Sequence, residues 1–179
     1  GVRMISAWYA GLYGVNMPDG LGSAVLPGSH IILQVHYNVL YSAPEAVQTS
    51  LVFKLDDEVE HAALIQPWTN FFWVLQGGMD IPAGEPQVTH SYAANPWALP
   101  PFIEAFEGDV GARLYTVALH MHLLAVSGRV TIERADGTTE CLLHITDWSY
   151  TWQRAYTFQE PKNLYPGDRL AIECTFDNS

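Results

Sequence analysis

The sequence predicts an all-β fold, an antiparallel β-sandwich. Period-two alternation recurs along the chain, whereas helical periodicity is scarce. Turn signals fall at regular spacing between the alternating runs. The composition agrees: 14 Gly, 11 Pro, six Trp and nine Tyr suit many short strands joined by turns.

Taken in order, "IILQVHYNVL" (31–40) alternates, with Ile31, Leu33, Val35 and Tyr37 on one face and Ile32, Gln34, His36 and Asn38 on the other. "TSLVFKLDDE" (49–58) reads as a strand running out into acid, its Asp56-Asp57 pair a solvated turn. "HAALIQPWTNFFWVL" (61–75) is apolar with an internal proline and reads as two short strands around a bend. A turn and a strand follow over 81–94. The Pro- and Gly-rich stretch 95–112 is a loop with one helical turn near Ile103 to Phe106. "RLYTVALHMHLL" (113–124) is a long strand. Residues 129–145 form a hairpin around Asp136-Gly137, a pair that matches strand twist. In 148–158, Trp148, Tyr150, Trp152, Tyr156 and Phe158 share a face by alternation. "YPGD" (165–168) turns the chain into a last strand, 169–177.

The balance of 8 basic against 19 acidic residues, net −11, makes nucleic acid and anionic membranes poor partners. No apolar run reaches the roughly 18 residues of a membrane span. The chain opens on Gly without a signal peptide and reads as a mature product or part of a longer polypeptide. Phosphate-binding loops and nucleophile-elbow patterns are absent.

Chemistry concentrates in "LHMHLL" (119–124). His120 and His122, two residues apart on a strand, project to the same side. The other side, Tyr115, Val117, Leu119, Met121 and Leu123, is wholly apolar and takes the core. Two neighbouring neutral imidazoles suit copper or zinc better than calcium or magnesium. His36 repeats the pattern, pointing away from an apolar face. His30, His61, His90 and His144 lack a ligand at useful spacing and read as surface or packing residues. Cys141, sharing a face with Leu143 and Ile145, and Cys174, beside Leu170, Ile172 and Phe176, both read as buried: two inert thiols, or one disulfide if the protein is exported.

Three stretches together, "SAWYAGLYGVNMPDGLGSAVLPGSHIILQVHYN" (6–38), "LHMHLLAVSGRV" (119–130) and "DWSYTWQRAYTF" through "LYPGDRLAIECTFDNS" (147–179), resemble the copper type II, ascorbate-dependent monooxygenases. The animal members include peptidylglycine alpha-hydroxylating and dopamine beta-monooxygenases, and the likeness is greatest to bacterial relatives. The resemblance implies two lobes, each an antiparallel jelly-roll sandwich with one copper. Residues 1–45 would end the first lobe, and 46–179 would form most of the second. His120 and His122 match two ligands of the oxygen-activating copper and are the catalytic candidates. His36 matches one ligand of the electron-transfer copper. None of Met4, Met17, Met79 or Met121 matches the family's methionine ligand, and its adjacent His pair has no counterpart, so both copper sites read as incomplete.

The resemblance implies a secreted or periplasmic enzyme. It would hydroxylate an aliphatic C–H bond of a small molecule or peptide with O2 and a reductant such as ascorbate, together with the remainder of a parent chain. The competing readings are a non-catalytic extracellular binding or assembly module with remnant histidines, and a copper store or chaperone.

Overall fold

A computed structural model describes residues 3–9, 12, 14–37, 43, 45–99 and 111–179. These form two compact units, one of residues 1–16 with 64–179 and one of residues 17–63.

The larger unit is built from β3 (Val88–Ala94), β4 (Ala112–Ala118), β5 (Ala125–Glu133), β6 (Thr139–Ile145), β7 (Ala155–Leu164) and β8 (Arg169–Phe176). The order β3-β8-β5-β6 makes one antiparallel sheet, and β4 pairs with β7 in a second. The core draws on both sheets. Ile132 from β5, Leu143 from β6, Leu170 and Phe176 from β8 and Leu164 from β7 are buried, with Leu114 and Val117 of β4 against them. The antiparallel sandwich is therefore present. The hairpin stands where Asp136-Gly137 places it: Gly137 adopts φ +86° and donates its N–H to the Arg134 carbonyl at 2.9 Å.

The "YPGD" turn is tied to that hairpin by charge. Asp168 is buried, and it accepts from Arg134 Nη1 at 2.8 Å and from the Tyr165 N–H at 2.9 Å. Arg134 also pairs with Glu140, and Lys162 reaches the other Glu140 oxygen at 3.2 Å. A carboxylate this deep is tolerated because a cation and backbone donors replace its water.

The two cysteines do not pair. Thr131 of β5 faces both Cys141 of β6 and Ala171 of β8, so β5 separates the two cysteine strands. Cys174 lies three residues beyond Ala171. Two strand spacings of about 4.8 Å and three rises of about 3.4 Å put the Cα atoms on the order of 14 Å apart. A disulfide needs less than about 7 Å. Cys141 is also exposed rather than buried. The register shifts between Val130, opposite Leu143, and Thr131, opposite Cys141, leaving Leu142 as the extra residue. That bulge buries Leu142 and Leu143 together and turns Cys141 outward.

Other local expectations also change. Residues 71–75 form a short helix, α1 (Phe71–Leu75), instead of a strand. Asn70 Oδ1 accepts the Phe72 N–H at 3.0 Å, and Gly77 at φ +63° ends the turn. Residues 148–154 do not continue as a strand: Trp148 is buried while Tyr150 and Trp152 are exposed, and β7 begins only at Ala155. A short 3-10 turn occupies Pro96–Ala98, and the expected helical turn near 103–106 lies outside the described residues.

In the smaller unit, β1 (Leu21–Gly22) and β2 (His61–Ala62) pair in parallel. Ser23 Oγ donates to the Ala63 carbonyl at 3.0 Å. Residues 31–37 and 49–58 have no ladder partner among the described residues. Ile32 is 77% exposed and Leu33 48% exposed, so neither face of that alternating run finds a core. Alternation prepares a run for a sheet, but a partner strand must supply the ladder.

Candidate metal centre

β4 ends at Ala118, so His120 and His122 lie just past the ladder, in an extended stretch that a turn closes at 123–124. The alternation nevertheless holds over 119–122. Leu119 and Met121 are buried, while His120 and His122 are exposed. Leu123 departs from the expected apolar face, being 77% exposed in the turn.

Gly128 of β5 anchors this stretch. A Cβ there would stand 2.9 Å from Leu119 Cδ1 and 2.9 Å from Met121 Cε. The missing side chain leaves the space into which those two residues pack. With both clamped on β5, the residues between and after them must face the other way, which puts the imidazoles together.

Their ring centroids are 5.3 Å apart with planes at 78°. A metal–nitrogen bond of about 2.0 Å places an ion about 3 Å from each ring centre, so rings sharing one ion stand about 4.5 to 6 Å apart. The observed separation lies in that span, and two imidazole donors suit copper. Among the described residues, no group of three or more His, Cys, Asp and Glu comes together. Met121 is buried on the opposite face, as the alternation requires.

Three residues surround the pair. The Tyr9 ring stacks on His120, centroids 4.8 Å apart and 24° between planes. Burial raises the Tyr9 phenol above its ordinary range, so it stays neutral. Gln153 Oε1 lies 2.7 Å from His120 Nδ1, and Gln153 Nε2 donates to the Tyr150 carbonyl at 2.9 Å. The Tyr150 ring meets His122 edge-on at 6.1 Å. No local pattern in the sequence marks Gln153, which lies 33 residues from the imidazole it holds. Alternation places Tyr150 on one face with Trp148 and Trp152, whereas the turn at 150–151 separates it from them and delivers its ring to His122.

His36 belongs to the smaller unit, where it is exposed within the unpaired stretch 31–37. Of the other histidines, His90 packs: its Nε2 donates to the Asp80 carbonyl at 2.8 Å, and its ring meets Trp73 and Phe176 edge-on. His30, His61 and His144 are exposed.

The fold and the site define the chain as an antiparallel β-sandwich domain that presents two neighbouring imidazoles on one side of a strand end. The family model for the copper type II ascorbate-dependent monooxygenase C-terminal domain matches residues 79–179, more than half of the 179-residue chain. The chain belongs to the copper type II ascorbate-dependent monooxygenase family. The matched span contains His120, His122 and Gln153, and His36 precedes it. Among curated proteins, none matches the sequence. No helix among the described residues is long and apolar enough to cross a membrane.

Proposed function

We propose that this chain is a catalytic domain of a copper monooxygenase, with His120 and His122 as protein ligands of the copper that faces substrate. The observation that carries the reading is the 5.3 Å pairing of two exposed imidazoles, held in place by Leu119 and Met121 on Gly128. Copper, when bound, supplies the one-electron chemistry with O2 and a reductant such as ascorbate that hydroxylates an aliphatic C–H bond. The chain's own part is to present the two nitrogens on an open face, so that a small molecule or peptide can approach from solvent.

His36 is read as a ligand of a second, electron-transfer copper. Residues 46–179 are read as a jelly-roll lobe, and 1–45 as the end of the lobe before it, acting with the remainder of a parent chain. Export to the periplasm or outside the cell fits the family chemistry. With two side-chain ligands at the substrate site, these residues alone should hold copper loosely and turn over slowly.

Copper titration of the chain, followed by paramagnetic resonance, tests the reading. The native sequence should bind copper in a nitrogen-rich environment, and the His120→Ala, His122→Ala double variant should lose that signal. A double variant that binds copper with the native affinity and spectrum would refute the assignment.

A further inference from the structure

Gln153 sits in an unusual position for its chemistry. The residue is only 2% exposed, and a buried carboxamide costs free energy unless both of its ends are hydrogen-bonded. Both ends are. The Tyr150 carbonyl can only accept, so it requires the amide nitrogen of Gln153, at 2.9 Å. The carboxamide oxygen must therefore be the atom facing His120 Nδ1 at 2.7 Å. An amide oxygen cannot donate, so the proton between them belongs to Nδ1. In the neutral ring, Nε2 is then left with its lone pair unprotonated.

The geometry points to Gln153 as a positioning residue that sets His120 to bind metal through Nε2. This rests on the copper reading above and adds a role to it. The proton is held at Nδ1 before any ion arrives, so Nε2 does not have to shed a proton on binding. The same carboxamide fixes ring rotation, because swinging the imidazole away would strip a buried acceptor of its partner. Tyr150 links the two ligands: its carbonyl anchors Gln153, which holds His120, and its ring lies against His122. The turn before β7 thus reaches both imidazoles at once.

The test uses the full chain and two variants. Gln153→Met keeps the side-chain length without the acceptor, and Gln153→Glu keeps an oxygen toward His120. Long-range nitrogen-15 NMR of the copper-free protein reads the tautomer of His120, and competition with a copper(I) chelator reads affinity. The native chain should show Nδ1 protonated. Gln153→Met should show a mixture of tautomers and bind copper about 10- to 100-fold more weakly. Gln153→Glu should restore the native tautomer and most of the affinity. A native His120 protonated on Nε2, a Gln153→Met variant with native tautomer and affinity, or a Gln153→Glu variant that behaves like Gln153→Met would each overturn the role of Gln153 while leaving the copper reading intact. A native chain that binds no copper, whatever its tautomer, would sink the copper reading and this inference with it.

Discussion

The ring of Tyr9 lies almost flat on the ring of His120, 4.8 Å between centroids and 24° between planes. Offset stacking of this kind is worth about 0.5 to 1.5 kcal/mol beyond the area it covers. It limits the tilt of an imidazole that Gln153 holds by a hydrogen bond at Nδ1. Tyr9→Ala should broaden the His120 ring resonances and weaken copper binding several-fold. Tyr9→Phe should leave both near native, because the face and not the hydroxyl makes the contact. Equal losses in the two variants would show that the phenol oxygen carries the effect.

Gly128 predicts a packing penalty transmitted to the metal ligands. A methyl at that position meets Leu119 Cδ1 and Met121 Cε at 2.9 Å. Both are side-chain ends, so they can shift, at an overpacking cost of about 1 to 3 kcal/mol. Gly128→Ala should lower the urea midpoint and weaken copper binding together, since Leu119 and Met121 flank His120. Reduced stability with unchanged copper affinity would disconnect the clamp from the site.

The cysteines should differ sharply in reactivity. Burial first, and the charge of Glu173 second, push the Cys174 thiol up to about 11 from 9.0. Cys141 is exposed. A chromogenic thiol reagent should modify one cysteine in the native protein and both after unfolding, and reduction should not change the mass. The raised Cys174 value also contributes to the alkaline limb of stability. The folded thiol holds its proton longer than the unfolded one, so its contribution is intact below 9.0 and is lost as pH climbs through about 11.

The Arg134 cluster contributes to the acid limb. The hydrogen bond from Arg134 holds the Glu140 carboxyl below 4.5, with Lys162 helping. A folded carboxyl more acidic than its unfolded counterpart contributes fully above the unfolded value, and the contribution disappears as pH falls through the depressed one. Glu140→Gln should therefore flatten the loss of stability below pH 4.5. Arg134→Ala, which leaves buried Asp168 without its cation, should cost about 3 kcal/mol at neutral pH by urea unfolding. A native pH profile in Glu140→Gln would show that acid unfolding is set elsewhere.

Much of the larger unit is legible one segment at a time. The hairpin at Asp136-Gly137, the turn at 165–168, the last strand and the projection of His120 and His122 away from Leu119 and Met121 follow from turn chemistry and period-two geometry. Segment 71–75 folds as a helix where the sequence predicts a strand, because a short apolar run fits either. The Asn70 cap and the Gly77-Gly78 stop are the features that favour the helix. Segment 31–37 alternates well yet pairs with nothing described, since pairing belongs to two segments and alternation to one.

Local residue order is enough for the strand period, the turns, and therefore two imidazoles on one side of the chain. Those are consequences of bond geometry over neighbouring residues. Long-range pairing and packing are needed to turn Cys141 outward at the Leu142 bulge, to set β5 between the two thiols, and to close Gln153 and Tyr9 around His120. Each of those outcomes depends on which distant strands align and in what register, and that is settled by burying the shared core, not by any local pattern.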